Sequence, residues 1–199
     1  MVDLAMHMMD IAQNSIRAEA RNIEIFILEN SENNSLIFSV KDDGCGMSEE
    51  MIKKLSDPFF TSRTTRKVGL GVPFLKMTSE QTGGYLEVKS EIGIGTEIKA
   101  VYKTDNPDCI PLGDLAGYLI LLLIGNPELN FKFCYQLDDE KFEISTPELA
   151  ENGIDDLQSY EISSAVKEFI NENLKEIFKK RKKISFLLDR FFELRHFDD

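Results

Sequence analysis

Residues 42–47 read Asp-Asp-Gly-Cys-Gly-Met and come directly after a predicted strand, Leu36–Val40. Glycines at positions 44 and 46 let the backbone turn tightly and approach a flat ligand without an intervening side chain. Asp42, just before them, is placed to accept a hydrogen bond from an exocyclic amine such as that of adenine. Acidic glycine turns also simply connect strands, and calcium is a competing ligand, although the further acids of an EF-hand loop are absent. The string alone leaves these interpretations open.

The helix predicted ahead of this string spans residues 3–20 and has two faces at helical spacing. Its apolar face consists of Leu4, Ala5, Met8, Ala12 and Ile16. Its polar stripe consists of Asp3, His7, Asp10, Asn14, Arg17 and Arg21. Taken alone, such a stripe is typical of a solvent-facing helix. The sharper interpretation is that Asp10 and Asn14, one turn apart, offer oxygens to a hard cation such as Mg²⁺, which completes its shell with phosphate and water.

Residues 57–71 read DPFFTSRTTRKVGLG and lead into a helix predicted to begin near Val72. A glycine loop that runs into a helix presents free N–H groups and the positive end of the helix dipole to phosphate. Arg63, Arg66 and Lys67 are placed to add cationic contacts to a terminal phosphate. A mobile surface loop would explain the cations but not the Gly-Leu-Gly before the helix. The spacing of a Walker loop is absent.

A hairpin is predicted from residues 85–90 and 96–103, around the turn EIGIG. Gly93-Ile94-Gly95-Thr96 reads first as an ordinary hairpin turn. The alternative is that the hydroxyl of Thr96 bridges, through water, to Asp42 and a bound base.

The net charge of −12 argues against a nucleic-acid surface as the main function, because phosphates would be repelled over most of the molecule. The basic run 179–183 is predicted to be a solvated helix face, with an acidic partner or a membrane headgroup as the alternative. Three widely spaced cysteines fit a reducing compartment, and the N-terminus does not resemble a secretory signal. The apolar stretch Leu115–Ile124 is too short to span a bilayer and predicts a buried helix. A soluble, cytoplasmic protein without nucleic-acid or membrane partners is expected.

A boundary is predicted at residues 104–114, where prolines and turn formers cluster. The expected division is a first domain over residues 1–104 and a small α+β region of unknown role over residues 105–199. That second region is predicted to contain the buried helix at 115–124, a hairpin of FKFCYQ and KFEIS, and a helix over about 161–183. The amphipathic last residues are expected to pack on the body or on a second subunit.

The ordered set of strings resembles the motifs of the GHKL superfamily, which includes type II topoisomerase ATPase domains, heat-shock chaperone ATPases, histidine kinases and mismatch-repair ATPases. The resemblance covers residues 1 to about 104. The matching strings are MDIAQNSIRAEA at 9–20, DDGCGM at 42–47, DPFFTSRTT at 57–65, KVGLGVPFLK at 67–76 and GGYLEVKSEIGIGTEIKAVY at 83–102. It implies the Bergerat fold, an α/β two-layer sandwich with a mixed sheet, and ATP with Mg²⁺ as ligands.

The same resemblance implies roles for individual residues. Asn14 would be the magnesium ligand, Asp42 would bind the adenine amine, and Thr96 would support that contact. The base pocket would be lined by Gly44, Gly46 and Met47. The phosphates would be cradled by Thr61, Gly69, Leu70 and Gly71, with the 57–69 loop as a lid. Further nucleotide contacts are expected from Arg17, Arg63 and Lys67.

Asp10 departs from the pattern, since hydrolysing members of the superfamily carry Glu there as general base and many histidine kinases carry Asn. Asp is one methylene shorter than Glu, so both hydrolysis and simple cation binding stay open. The short lid with its Phe-Thr-Ser-Arg string is closest to histidine kinases and anti-sigma-factor serine kinases. Because nine residues precede Asp10 in this sequence, an upstream phosphoacceptor helix is not expected. His7 is expected to be structural or to support residues that contact the nucleotide, not to accept phosphate, and His196 is expected to be a surface residue.

Three functions are therefore carried forward. The leading one is a regulatory protein of the histidine-kinase-like ATPase type that transfers the γ-phosphoryl of ATP to a protein partner. The second is an ATP-hydrolysing conformational switch in which Asp10 positions water and ATP drives dimerisation or lid closure. The third is a nucleotide-binding module without turnover. A homodimer is compatible with each of them.

Overall fold

The structure is a computed structural model that describes residues 3–55, 70–154 and 156–181. Its helices and strands, in chain order, are α1 (Leu4–Arg17), β1 (Asn22–Asn30), β2 (Ser35–Asp42), α2 (Glu49–Leu55), α3 (Gly71–Gln81), β3 (Tyr85–Glu91), β4 (Gly95–Lys103), α4 (Leu115–Gly125), β5 (Asn130–Leu137), β6 (Glu140–Ser145), α5 (Thr146–Glu151) and α6 (Tyr160–Lys179).

The strands form one six-stranded sheet in the order β3-β4-β2-β1-β5-β6. The β1–β5 pair is parallel and the other four pairs are antiparallel, so the sheet is mixed. Strand β1 alternates as its sequence predicts: Ile23, Ile25 and Ile27 are fully buried and the residues between them are less so, which places one face of the strand against the core. The predicted α/β architecture with a mixed sheet is confirmed.

Helix α1 begins at an Asp3 cap, whose carboxylate accepts a 2.8 Å hydrogen bond from the backbone N–H of Met6. Its apolar face is buried, as the helical spacing predicts, with Met8 and Ala12 fully enclosed. The helix packs against α4, which is the predicted buried helix. None of the helices in the described residues is both long enough and apolar enough to cross a membrane.

The sheet continues across the predicted boundary at residue 104. Strand β5 runs alongside β1 from the Asn22–Asn130 pair to the Glu29–Leu137 pair, and β6 pairs with β5 beyond it. The hairpin and the long helix expected in the second region are therefore present, with α6 ending at Lys179 instead of residue 183. The short helix α5 was not predicted. The division into two domains stays a prediction.

The predicted basic run 179–183 lies within the described residues as far as Arg181, and that part is only partly solvated. Lys179 and Lys180 are exposed, as expected, but Arg181 is buried. Its guanidinium Nε donates a 2.9 Å hydrogen bond to the carboxylate of Glu29 on β1, which is itself buried. The prediction of a solvated face is wrong for Arg181, because a buried carboxylate on the central strand requires a cationic partner.

Candidate functional site

A row of polar side chains crosses three strands at one end of the sheet. Asp42 is directly opposite Thr96 in the β2–β4 pair, and Thr96 is directly opposite Ser90 in the β3–β4 pair. Residues that face each other across strands point to the same side of the sheet. Asp42 and Thr96 are both buried, at 9% exposure each. The sheet therefore brings together two residues that are 54 positions apart in the sequence and were predicted to act on the same base.

Helix α1 holds the carboxylate of Asp42 in place. The hydroxyl of Ser15 donates a 2.6 Å hydrogen bond to Asp42 Oδ2, and the backbone N–H of Gly44 donates one of 2.9 Å to Oδ1. Ser15 follows Asn14 directly in α1. The predicted magnesium ligand Asn14 is therefore next in sequence to the residue that contacts the predicted adenine acceptor Asp42. Sequence reasoning missed Ser15. The available signal was a serine on the otherwise apolar face of the helix, four residues after Ile11.

The glycine loop after Asp42 is clamped between α1 and the β3–β4 turn. The N–H of Cys45 donates a 2.8 Å hydrogen bond to the carbonyl of Ala18, and the Cys45 carbonyl accepts one of 2.9 Å from Gly93. A Cβ on Gly46, where φ is +64°, would lie 1.9 Å from the Glu91 carbonyl oxygen. A Cβ on Gly44 would lie 2.8 Å from the Ala18 carbonyl oxygen.

Both glycines are thus required by contacts within the protein. These contacts occupy the direction in which a Cβ would point, and the expectation that the glycines also let a flat ligand approach stays a prediction. Their place beside a base pocket, together with the partly buried Met47, stays a prediction.

The second acid of the loop has a structural role that differs from that of Asp42. The Asp43 carboxylate accepts hydrogen bonds of 2.7 Å and 2.9 Å from the backbone N–H groups of Arg21 and Asn22, and one of 2.6 Å from the Asn22 amide. Partial burial works against its charged form, but the bonds from Asn22 and Arg21 outweigh it and hold the pKa of Asp43 below its usual value. Asp43 fastens the loop to the start of β1.

Ser90 joins the same loop to the closing hairpin. Its hydroxyl oxygen lies 2.8 Å from the backbone nitrogen of Met47, 2.9 Å from the carbonyl oxygen of Gly95 and 2.8 Å from the hydroxyl of Thr96. Sequence reasoning missed this residue as well, because a serine in an alternating strand carries no signal of its own. The polar row therefore connects the two glycine turns that the sequence singles out.

The polar stripe of α1 is partly solvated. Asp10 and Arg17 are exposed, Asn14 is half-buried, and an Arg17 guanidinium nitrogen donates a 3.2 Å hydrogen bond to Asn14 Oδ1. His7 is fully buried, so the solvent-facing interpretation is wrong for this residue. His7 Nε2 lies 3.5 Å from the hydroxyl of Thr78 on α3, and burial lowers the pKa of His7 to about 4. Its ring is a structural contact between two helices, as expected.

The N-terminus of α3 meets α1 at Asp10. A Cβ on Gly71, the first residue of α3, would lie 3.0 Å from the Asp10 Cβ and 3.4 Å from its Oδ2. Leu70 precedes this helix at the N-cap position, makes no side-chain capping bond and is 49% exposed. The absence of a side chain at position 71 lets the first turn of α3 lie directly beside the carboxylate. The start of α3 and Asp10 of α1 therefore lie side by side.

Four predicted phosphate contacts lie outside the described residues: Thr61, Arg63, Lys67 and Gly69. The same holds for the 57–69 lid as a whole and for Arg66. Their roles stay predictions.

The donor set fits a magnesium ion that takes part of its shell from phosphate. Asn14 Oδ1 accepts one hydrogen bond and keeps a lone pair for a metal, and Asp10 offers a second oxygen one turn away. Among the described residues, no three His, Cys, Asp or Glu side chains come together in a way that would hold a metal ion.

The family described as "Histidine kinase-, DNA gyrase B-, and HSP90-like ATPase" matches this chain over residues 2–106. The chain is 29% identical over 103 residues to a "Putative sensor protein" of Shewanella frigidimarina (strain NCIMB 400), which covers 51% of this chain and 16% of the relative. It is 33% identical over 88 residues to "Sporulation kinase E" of Bacillus subtilis (strain 168), covering 44% of this chain and 12% of the relative.

The chain is also similar to "Sensor kinase CckA" of Brucella abortus (strain 2308), with 37% identity over 65 residues, 32% of this chain and 7% of the relative. It thus matches less than a fifth of the length of these three relatives. Among solved structures, the "Aquifex aeolicus MutL ATPase domain complexed with ADP" matches with a TM-score of 0.47 and 15% identity, covering 80% of this chain and 70% of that chain.

Proposed function

The chain belongs to the family of histidine kinase-, DNA gyrase B- and HSP90-like ATPases, and on that premise we propose that it binds ATP with Mg²⁺ and transfers the γ-phosphoryl group to a protein partner. The observation that carries the proposal is the 2.6 Å hydrogen bond between Ser15 and Asp42. This bond ties helix α1, which carries Asn14 one residue before Ser15, to the sheet row that offers Asp42. A single cleft can then take both ends of one nucleotide.

At the base end, Asp42 accepts a hydrogen bond from the exocyclic amine of adenine. Its two oxygens accept one hydrogen bond each from within the protein, so lone pairs are left for a ligand. Burial of Asp42 and Thr96 keeps water away from this contact, which strengthens it.

At the phosphate end, the start of α3 offers the backbone N–H groups of Gly71 and Val72, and Asn14 offers its amide oxygen to the metal. Pro73 has no N–H, and Phe74 already donates its own to the Leu70 carbonyl. Magnesium, when bound, neutralises phosphate charge and orients the γ-phosphoryl group. In the transfer step, the bond from the γ-phosphorus to the bridging oxygen breaks and its electron pair leaves with ADP. A nucleophilic side chain of the partner forms the new bond to phosphorus, and this chain contributes positioning and charge stabilisation.

Binding is tested first. We expect Asp42→Asn to raise the Kd for ATP by about tenfold to a hundredfold, because an amine donor loses a charged acceptor. The matched control is Asp43→Asn, since Asp43 bonds to Arg21 and Asn22 and not to the polar row. Titration calorimetry with ATP and Mg²⁺ measures both variants, and Asn14→Ala should remove the dependence of binding on Mg²⁺. Equal effects of the two aspartate substitutions would count against the assignment of Asp42.

Transfer is tested next, with ATP labelled at the γ-phosphate and candidate partner proteins. Label that moves to a protein supports the proposal. Label that never leaves ATP, in a protein that binds ATP tightly, favours a nucleotide-binding module without turnover.

A second candidate, hydrolysis, is favoured by the closeness of Asp10 to the start of α3. An exposed carboxylate beside the predicted phosphate position could orient and deprotonate an attacking water. Asp10→Ala separates the two functions, since it should abolish phosphate release under hydrolysis and affect transfer to a partner less. Asp10→Glu, which restores the longer side chain, is expected to keep or raise phosphate release if this candidate is correct.

The setting of the protein is part of the same proposal. Three relatives carry names of sensor proteins or kinases, which supports a protein partner, and a homodimer is a further expectation. The proposed location is the cytoplasm, where ATP is available. Size-exclusion chromatography with light scattering, with and without ATP, tests dimerisation.

A further inference from the structure

We infer that Ser90 determines the nucleobase preference of the site by fixing the direction of the Thr96 hydroxyl, so that a purine with a 6-amino group is favoured over one with a 6-oxo group. The inference rests on the proposed function, since it concerns the base end of the ATP site. Ser90 is not itself placed against the base. It acts through Thr96, which is its direct neighbour across the β3–β4 pair.

The hydrogen-bond geometry around Ser90 assigns each proton. Its oxygen lies within 2.9 Å of three partners: the N–H of Met47, the carbonyl of Gly95 and the hydroxyl of Thr96. The N–H can only donate and the carbonyl can only accept, so Ser90 accepts from Met47 and donates its one proton to Gly95. The 2.8 Å contact with Thr96 then needs a proton from Thr96. If Ser90 donated to Thr96 instead, no proton would lie between the Ser90 hydroxyl oxygen and the Gly95 carbonyl oxygen, and their lone pairs would repel each other.

As a result, the Thr96 hydroxyl turns its proton toward Ser90 and its lone pairs away from it. The other donors around the row are engaged in the same way: the hydroxyl of Ser15 and the N–H of Gly44 both donate to Asp42. The side chains of Asp42 and Thr96 therefore offer acceptors, and the donors that the structure describes around them are already used within the protein. These side chains therefore accept hydrogen bonds from a ligand or from an ordered water.

Such a surface discriminates by polarity. The 6-amino group of ATP donates to it, whereas the 6-oxo group of ITP presents lone pairs to lone pairs. Polar mismatches at a buried site are costly because neither side regains water. Without Ser90, the hydroxyl of Thr96 is free to rotate and donate its proton into the site, which would let a 6-oxo group bind.

The test compares the Kd values of ATP and ITP, each with Mg²⁺, by titration calorimetry. Wild type should prefer ATP, and Ser90→Ala should reduce the ATP-to-ITP affinity ratio by about three- to tenfold, which is the effect of one neutral hydrogen bond. Ser90→Thr, which keeps the hydroxyl, should restore the ratio. The matched control is Ser163→Ala, since that buried serine bonds only to carbonyls of its own helix.

Combining Ser90→Ala with Thr96→Val separates an effect on the choice between ATP and ITP from a general structural effect. In a Thr96→Val background there is no hydroxyl to direct, so adding Ser90→Ala should leave the affinity ratio unchanged. The inference is overturned if Ser90→Ala weakens ATP and ITP by the same factor, or if it changes the ratio equally with and without the Thr96 hydroxyl. A wild-type protein that binds neither nucleotide contradicts the proposed function instead, so the two failures are distinguishable.

Discussion

At the scale of single residues, His7 of α1 has a pKa that the fold shifts strongly. Burial of the ring penalises its charged form and lowers its pKa from 6.5 to about 4. Its Nδ1 has no hydrogen-bond partner among the described residues, and its Nε2 faces the Thr78 hydroxyl. The imidazole is therefore neutral in the folded protein at neutral pH, which excludes His7 as a cationic contact for phosphate.

This burial predicts a pH-dependent stability. Between about pH 4 and pH 6.5, the unfolded chain binds a proton at His7 and the folded chain does not, so folding becomes more favourable as the pH rises. We expect the free energy of unfolding to increase by about 2 kcal/mol from about pH 5 to pH 7 through this residue. Chemical denaturation of wild type and His7→Gln over this range measures the difference.

The variant should have a flatter profile than wild type in that window. Asp43→Asn is the control, because the pKa of Asp43 is held below its usual value and its titration falls at lower pH. A slope in His7→Gln as steep as in wild type would contradict the assignment.

At the scale of elements, the loop between β2 and α2 depends on the turn between β3 and β4. Gly46 and Gly153 both have positive φ, +64° and +77°. A Cβ on Gly46 would meet the Glu91 carbonyl oxygen at 1.9 Å, whereas a Cβ on Gly153 would meet nothing within 4 Å. The two positions therefore share backbone strain and differ in the clash.

We expect Gly153→Ala to cost about 1 kcal/mol of stability, from the backbone conformation alone, and to leave ATP affinity as in wild type. Gly46→Ala should cost about 3 kcal/mol or more, because the loop must move away from β3 as well. The displaced loop carries Met47 away from Ser90, so the Kd for ATP should rise by about tenfold or more. Thermal unfolding and titration calorimetry measure both effects. Equal losses of stability in the two variants would show that the predicted clash at Gly46 does not add to the cost of the backbone conformation.

The elements also show what the sequence could predict. Periodicity located α1, the β3–β4 hairpin and α4, because each has a clear apolar face or run. It could not reveal that Ser15 bonds to Asp42, since that contact joins a helix to a strand end 27 residues later. Nor could it give the reason for Gly46, which depends on the approach of Glu91. Contacts that are distant in sequence require the three-dimensional arrangement, whereas motif order was enough to identify the family.

At the scale of the whole molecule, the two halves of the chain share one sheet and one buried polar cluster. Glu29 on β1 accepts hydrogen bonds from Tyr135 on β5, at 2.6 Å, and from Arg181 after α6. Burial, with the negative charge of Glu29 beside it, raises the pKa of Tyr135 well above its usual value, so its proton stays in place. Arg181 also lies over the ring of Phe178, 4.9 Å from its centre. The end of α6 is thereby fixed to the strand that follows α1.

Lys180 and Arg181 provide a matched pair for testing this connection. Lys180 forms a 2.7 Å ion pair with Glu140, in which both side chains are about half exposed, while Arg181 is buried with Glu29.

An exposed pair contributes little, so Lys180→Met should change the free energy of unfolding by less than about 0.5 kcal/mol. Arg181→Met leaves a buried carboxylate without its cation and should cost about 3 kcal/mol. Replacing both members, as in Glu29→Leu with Arg181→Met, should recover part of the loss, because no charge is then left unpaired. Chemical denaturation measures all three variants, and equal losses for Lys180→Met and Arg181→Met would show that burial does not decide the strength of this connection.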